Sequence, residues 1–314
     1  MSKYLVTGGA GFIGSHIVDA LVAANHSVRV LDDFSTGSLE NIGHLDGKIE
    51  LMRGDISDKE TVDSAVKGMD YIFHEAAQTS VVDSIKNPVK TWDINIKGTK
   101  LLLNAAVKFK VKKLVLASSA NIYGNDPMLP KLEDMPPKPS SPYGESKLMD
   151  ELMSRKYYET DKLKSVCLRY FNVYGPRQSP SSEYSGVISI FMKKIIDGEQ
   201  PMIYGDGNQT RDFIYVADVV RANLLAMKST KAAGEVINVA TGKETSLKEL
   251  VKSINVIAGT AIEALHGPER VGDIARSVAD ISKARKLLGF EPKYSLEQGL
   301  GSTVEWFKSQ GEKV

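Results

Sequence analysis

Short apolar runs and stretches of helical period alternate along more than half of the chain. Tyr4-Leu5-Val6-Thr7 is a contiguous strand-forming run, as expected for a strand buried on both faces of a sheet. Ile17, Val18, Leu21 and Val22 then recur at the 3.6-residue period of a helix. The same alternation predicts strands over residues 27–31, 49–52, 70–74, 113–117 and 166–170. Helices are predicted from Ser57-Asp58 to about Lys67, over about 88–109, and from Pro142 onward, with proline suited to a first helical turn. Strands alternating with helices imply right-handed crossovers and an α/β fold with a doubly wound parallel sheet.

Past Phe171-Asn172-Val173-Tyr174-Gly175-Pro176-Arg177 the alternation breaks. A Ser/Pro-rich loop (178–186), a helix (187–197) and two short strands (202–204 and 213–215) follow. A helix over 216–227 and a strand over 236–239 predict one more αβ unit returning to the main sheet. Helices near 247–257, 282–288 and 296–308 complete a smaller C-terminal domain. The stretch 125–141, with five prolines, is predicted as a long loop, either functional or mobile, or else a stiff surface excursion.

The first strand opens into Gly8-Gly9-Ala10-Gly11-Phe12-Ile13-Gly14. The glycines can be framed as Gly9-x-Gly11-x-x-Gly14 or as Gly8-x-x-Gly11-x-x-Gly14. Either frame, between strand and helix, lets the backbone approach a pyrophosphate at a helix N-terminus, the Rossmann arrangement. Asp32 ends the second strand 18 residues after Gly14, where a carboxylate accepts hydrogen bonds from a ribose and repels a 2′-phosphate. Asp33 adds a second charge with no Arg or Lys immediately following, which favours NAD over NADP.

In Tyr143-Gly144-Glu145-Ser146-Lys147 the phenol and the ammonium share one face of a helix, a turn apart. A neighbouring ammonium favours phenolate. Lowering a phenol from its usual pKa of about 10 to near 7 requires about 4 kcal/mol, and the product is a general base for a hydroxyl proton. Tyr158-x-x-x-Lys162 has the same spacing but reads as a solvated pair in a charged helix.

Composition narrows the setting. The 314 residues carry 40 Lys+Arg against 39 Asp+Glu, a formal charge of +1, with no general attraction for nucleic acid or anionic membrane. Cys167 is the single cysteine and lies in an apolar run, and the five histidines lack ligand spacing, so no metal site is expected. Strand-like residues begin at Tyr4 and no 18-residue apolar run occurs, which predicts a soluble, cytoplasmic protein.

Together the glycine stretch, Ser119, Tyr143-x-x-x-Lys147 and Arg169-Tyr170-Phe171-Asn172 resemble the extended short-chain dehydrogenase/reductase superfamily. Within it the chain is most similar to the UDP-glucose 4-epimerases. The likeness runs over essentially the whole chain, including Gly54-Asp55-Ile56, Asn95, residues 118–124, Tyr204-Gly205-Asp206-Gly207, Arg211-Asp212-Phe213 and Arg270-Val271-Gly272-Asp273-Ile274. It implies an NAD-binding Rossmann domain over residues 1–172, with 212–240 returning to it, and a nucleotide-sugar domain made mainly from 173–314. It implies NAD contacts from Gly8, Gly11, Phe12, Ile13, Gly14, Asp32, Asp33, Phe34, Ser35, Thr36, Gly37, Asp55, Ile56, Ala76, Ala77, Gln78, Asn95, Tyr143, Lys147, Tyr170 and Phe171. Tyr143 would be the base, Lys147 would bind the nicotinamide ribose, and Ser119 would hold the reacting sugar oxygen. Asn172, Arg211, Arg270 and Asp273 would hold the UDP portion, with Val187 and Tyr204 near the uracil.

The implied reaction is 4-epimerisation of a UDP-hexose through a transient 4-keto sugar. Ala120 and Asn121 follow Ser119 where related dehydratases and decarboxylases carry an acid nearby, which argues against elimination or decarboxylation. Gln78 and Thr79 stand where some bacterial epimerases have a lysine. Ser277 stands where epimerases confined to unacetylated hexoses carry a bulky Tyr, so N-acetylhexosamines are expected to fit. A UDP-glucuronate 4-epimerase would need a cation for the sugar carboxylate, which the sequence does not reveal. A ketoreductase would usually prefer NADPH, against Asp32-Asp33, and a non-catalytic NAD-binding protein has no use for Ser119, Tyr143 and Lys147 together. Resembling enzymes pair helices across a two-fold, which predicts a homodimer with Leu101, Leu102, Leu148 and Leu152 supplying apolar surface.

Overall fold

A computed structural model describes residues 1–179, 186–269 and 274–311. Arg270 and Asp273 therefore lie outside the described residues. Six strands come from the first part of the chain: β1 (Lys3–Thr7), β2 (Ser27–Asp32), β3 (Ile49–Arg53), β4 (Tyr71–His74), β5 (Lys113–Ser119) and β6 (Ser165–Tyr170). Interleaved with them are α1 (Phe12–Ala23), α2 (Lys59–Val66), α3 (Val81–Lys86), α4 (Pro88–Trp92), α5 (Gly98–Lys108) and α6 (Pro142–Asp161). Helix α3 is short and absent from the periodicity-based expectation. The expected single helix over 88–109 is instead α4 and α5 joined by a π-helical turn, Asp93–Lys97.

The C-terminal part adds β7 (Asn172–Tyr174), α7 (Val187–Ile196), β8 (Met202–Tyr204), β9 (Thr210–Arg211), β10 (Phe213–Tyr215), α8 (Val216–Lys228) and β11 (Glu235–Val239). It continues through β12 (Thr245–Ser246), α9 (Leu247–Ala258), β13 (Leu265–Gly267), α10 (Ser282–Leu288) and α11 (Leu296–Gly311). The main sheet has seven parallel strands in the order β11-β6-β5-β4-β1-β2-β3. Strand order reverses between β1 and β4, the position where open α/β sheets leave a crevice at the strands' carboxyl ends.

Successive strand residues face opposite sides, and each side has its own core. Val6, Val30, Phe73, Val115 and Leu168 pack with Ile17, Val18 and Leu21 of α1 and with Val219 of α8. Leu5, Leu31, Ile72, Leu114 and Cys167 pack with Val62 of α2 and with Leu102 and Leu103 of α5. Being 0% exposed in this core, Leu102 has no surface to offer a partner, contrary to the expectation above. The smaller lobe has a third core between α7, α9 and α11, with Phe191, Ile195, Leu250 and Val304 at its centre.

The proline-rich segment is not a free surface excursion. Its Lys131 pairs with the strand-like stretch around Ala279, donating its backbone N–H to the Val278 carbonyl at 2.8 Å and accepting from the Asp280 N–H at 2.9 Å. The segment is thereby clasped between the two lobes.

Candidate active site

The crevice begins at the glycine turn. Gly8 has φ +67°, which favours glycine, and a β-carbon there would lie 2.7 Å from the Ala76 backbone nitrogen. At Gly14 a β-carbon would lie 2.1 Å from the Gly8 carbonyl oxygen. Gly14 serves both frames, and the positive φ at Gly8 makes that residue part of the turn as well. Helix α1 starts at Phe12 with no side-chain cap, leaving its first backbone N–H groups toward the crevice for an anion.

Asp32, at the end of β2, accepts from the Ala10 N–H and from the Phe34 N–H, both at 2.9 Å. Its carboxylate thus ties the glycine turn to the loop of Phe34, Ser35, Thr36 and Gly37. Burial raises its pKa, with the two backbone hydrogen bonds opposing. Asp33 Oδ1 accepts from the backbone and the hydroxyl of Ser35, at 2.9 and 2.7 Å. Arg53, from β3, lies over the Phe34 ring at 5.6 Å. Sequence separation hid this residue, although strand-end position could have flagged it. Asp55 turns the chain through the Ser57 N–H at 2.7 Å, and Ile56 beside it is buried.

After β4 the chain runs through Glu75, Ala76, Ala77 and Gln78. Asn95, in the π-helical turn, is buried and braces this segment: it accepts from the Gln78 N–H at 2.8 Å and donates to the Gln78 carbonyl at 3.1 Å. It also donates to the Ser146 hydroxyl on α6 at 2.8 Å. Its amide therefore positions the crevice wall against α6, a use for the bulged turn that helical periodicity does not show.

Helix α6 opens at Ser141, whose hydroxyl accepts from the Gly144 N–H at 3.1 Å, with Pro142 in the first turn. Tyr143 and Lys147 follow, both buried. Lys147 Nζ lies 3.3 Å from Asp150 Oδ2, and both side chains are enclosed. Burial alone would lower the lysine, but Asp150, Tyr143 and Glu75 outweigh it and hold the ammonium above its ordinary range. Burial pushes Asp150 up to about 6 despite Lys147. At that distance the pair is long for a charge-assisted bond, and we take the lysine as the firmly charged member.

Glu75 faces the same charge. Burial pushes it up to about 8, opposed by its bond from the Tyr170 hydroxyl at 2.9 Å and by Lys147. Asn223 holds that hydroxyl from the other side, donating at 2.8 Å. His74 is kept neutral, down to about 3, by burial and then by Lys147; it links Thr7 and Thr99 at 2.7 and 2.9 Å. Glu75 and Asp150 escaped the sequence reading. Asp150 had a signal, three residues beyond Lys147 on one helix face; Glu75 had none.

Ser119 ends β5, and its hydroxyl accepts from the Asn121 N–H at 3.2 Å and from the Asn121 amide at 3.1 Å. Beneath it, Glu151 takes a bidentate pair from Arg169, both contacts at 2.8 Å, and a 2.6 Å bond from the Ser118 hydroxyl. Phe171 packs in one cluster with Tyr123, Met135 and Ala279, next to a cavity that Tyr123 lines.

That cavity, about 230 Å³, is lined by Asn121, Lys131, Asn172, Arg211, Ile274 and Ser277 among others. It gathers three of the expected substrate residues, Asn172, Arg211 and Ser277, against the Asn121 that bonds Ser119. Buried Asp212 stiffens the region, accepting from Thr241, Gly242 and Ala279. Val187 starts α7 and Tyr204 ends β8, where Gly267 pairs with it; neither lines this cavity. Among the described residues no cluster could hold a metal ion, and no helix is long and apolar enough to cross a membrane.

The residues fit a dinucleotide. A β-carbon at Gly8 or Gly14 would clash within the glycine cradle, and Gln78 Oε1, in the segment after β4, is a buried acceptor without a hydrogen-bond partner. Such an orphaned acceptor costs about 1–3 kcal/mol unless a ligand supplies donors. The sheet, the glycine cradle and the buried Tyr143 and Lys147 on one turn of α6 define an α/β enzyme that works with a nicotinamide dinucleotide.

The chain belongs to the NAD dependent epimerase/dehydratase family, whose sequence model matches residues 4–240. It is an extended short-chain dehydrogenase/reductase and uses NAD. The UDP-glucose 4-epimerase of Mycolicibacterium smegmatis is 39% identical over 314 residues, covering 99% of this chain and 100% of the relative. The UDP-glucose 4-epimerase of Thermotoga maritima, solved with UDP-glucose, is 41% identical with TM-score 0.93, covering 98% and 99% of the two chains. The UDP-N-acetylglucosamine 4-epimerase of Methanobrevibacter ruminantium, solved with UDP-N-acetylmuramic acid, is 39% identical with TM-score 0.95 at the same coverage.

Proposed function

We propose that the enzyme is a 4-epimerase of UDP-hexoses, acting on the UDP-glucose/UDP-galactose pair and on the corresponding N-acetylhexosamine pair. The observation that carries this reading is a cavity that joins Asn172, Arg211 and Ser277 to Asn121, which bonds Ser119. The names of the relatives support the class, and Asn121, an amide where an acid would be needed, supports epimerisation over elimination or decarboxylation.

In this reading residues 1–172 with 212–240 hold NAD, and the remainder mainly holds the nucleotide sugar. Gly8, Gly14 and the start of α1 take the pyrophosphate, Asp32 the adenosine ribose, and Lys147 the nicotinamide ribose. When bound, NAD supplies a reversible hydride acceptor for sugar C4. Tyr143 removes and returns the 4-hydroxyl proton, and the Ser119 hydroxyl bonds the oxygen on which charge changes. Arg211 and Asn172 grip the diphosphate, remote from C4, so the oxidised sugar can turn and present its other face.

Ser277 sets the room beside the sugar. Arg276, which could refill that room, is held outward by Glu244 at 2.9 Å. Protein incubated with each UDP-sugar and no added NAD is expected to interconvert both pairs, read by sugar analysis after hydrolysis. Ser277→Tyr is expected to depress the acetylated pair selectively, by about 1–3 kcal/mol of overpacking, roughly 5- to 150-fold. Turnover of UDP-galactose without the acetylated sugars would refute the breadth; turnover of neither would refute the function.

A further inference from the structure

A run of buried polar side chains crosses four elements and ends at the Tyr143–Lys147 turn. At the end of β1 the Thr7 hydroxyl accepts from the Ala76 N–H at 3.4 Å and meets Nδ1 of His74, the last residue of β4, at 2.7 Å. His74 Nε2 meets the Thr99 hydroxyl on α5 at 2.9 Å. Thr99 in turn favours the ionised form of Asp150 on α6, and Asp150 Oδ2 lies 3.3 Å from the Lys147 ammonium. Asp150 Oδ1 has no hydrogen-bond partner of its own. Thr7, His74, Thr99, Asp150 and Lys147 are each no more than 3% exposed.

The chemistry of these groups gives the run a direction. His74 is neutral, so one ring nitrogen donates and the other accepts. An ionised carboxylate only accepts. With Asp150 ionised, Thr99 donates toward it and accepts from His74 Nε2–H, which leaves Nδ1 to accept from Thr7. Each donor then points toward Asp150, and Lys147 points to it from its own helix. With Asp150 protonated the same run would point the other way.

The other titratable groups nearby leave Asp150 as the counter-charge. Glu151, the next residue on α6, is committed to Arg169 and Ser118. Glu75, which faces Lys147 from the end of β4, is pushed up to about 8 by burial and is bonded by Tyr170. Cys167, on β6, is pushed up to about 12 and stays a thiol. Asp150 is pushed up only to about 6, so at neutral pH it is the anion beside Lys147.

We propose that Asp150 is a positioning residue for the reaction: it ends a one-way hydrogen-bonded run from β1, β4 and α5, and it keeps the Lys147 ammonium charged and in place one turn from Tyr143. The inference rests on the reading of Tyr143 as the base and Lys147 as its charged neighbour. An enclosed ammonium without a counter-charge sheds its proton more readily, and the phenol then loses the charge that favours phenolate.

Asp150→Asn keeps the shape and removes the charge. The test compares kcat for UDP-galactose epimerisation by NAD-loaded wild type and variant across the pH range. Below about 6 the wild-type carboxyl is itself mostly protonated, so the two proteins are expected to agree there within about twofold. The variant's deficit is expected to grow to about tenfold or more by about pH 9, one unit or more of displaced titration. A deficit equal at every pH marks a merely structural role and overturns the inference, as does a variant that matches or exceeds the wild type in alkaline solution. A second readout needs neither variant nor turnover. In nitrogen-15 spectra of histidine-labelled, NAD-loaded wild type, His74, assigned through its contacts with Thr7 and Thr99, is expected to carry its proton on Nε2 above about pH 7. A proton on Nδ1 there overturns the inference even if Asp150→Asn does not fold. If the wild type epimerises no UDP-sugar, the proposed function fails, and the His74 proton still decides whether the run ends on an ionised Asp150.

Discussion

Tyr143 and Tyr158 each stand four residues before a lysine on α6, yet their surroundings give them different chemistry. Tyr143 is buried in the first turn, one turn from an enclosed and charged Lys147. Tyr158 is 36% exposed and lies against Gly234, while Lys162 caps the helix and donates to the Glu159 carbonyl. Tyr143→Phe is therefore expected to lower kcat about 10²- to 10⁴-fold, the usual contribution of a positioned acid–base group, with UDP affinity retained. Tyr158→Phe keeps the ring and its packing and should leave turnover within about twofold. Steady-state epimerisation with a UDP titration of both variants checks this, and equal losses would sink the assignment of the base.

At the level of elements, α6 carries the Tyr–Lys pair on one turn and its anchor on the next. Glu151 joins the helix to β6 through Arg169 and to β5 through Ser118. Removing one member of an enclosed ion pair strands the other charge, at a cost of about 3–5 kcal/mol. Glu151→Ala is expected to destabilise the protein by that order. Arg155→Ala, which breaks the exposed pair with Glu159 on the same helix, should cost less than about 1 kcal/mol. Urea unfolding of the two variants, followed by fluorescence, measures both. A similar loss in each would mean that Glu151 does not anchor the helix.

On the scale of the whole molecule, α3, α4 and α6 leave one apolar surface uncovered. Ile85, Val89, Trp92, Met149 and Leu152 are exposed there, Leu152 at 53%. Contiguous apolar exposure of this kind marks an association surface. We propose a homodimer across this face, which would bury Leu152 with Ile85, Val89, Trp92 and Met149, whereas Leu102 is buried already. Light scattering at micromolar concentration is expected to give twice the chain mass for the wild type, and a lower mass for a Val89→Glu/Leu152→Glu variant. A wild-type monomer would contradict the proposal.

The strands, the crossover helices, the glycine turn and the Tyr143–Lys147 spacing were legible in the sequence. Each rests on local periodicity, on a backbone conformation that glycine permits, or on two residues one helical turn apart. Asp32 was legible too, because a strand end places it. The periodic pattern missed the π-helical turn, since one inserted residue barely disturbs it, and so missed how Asn95 braces Gln78. Leu102 looked available for pairing because a helix pattern marks an apolar face without saying what covers it. Glu75 beside Lys147, Arg53 over Phe34, and Lys131 in one wall with Asn121, Arg211 and Ser277 were decided by tertiary structure alone. These groups meet across different strands and both lobes, and no spacing along the chain encodes a contact made by the packing of distant segments.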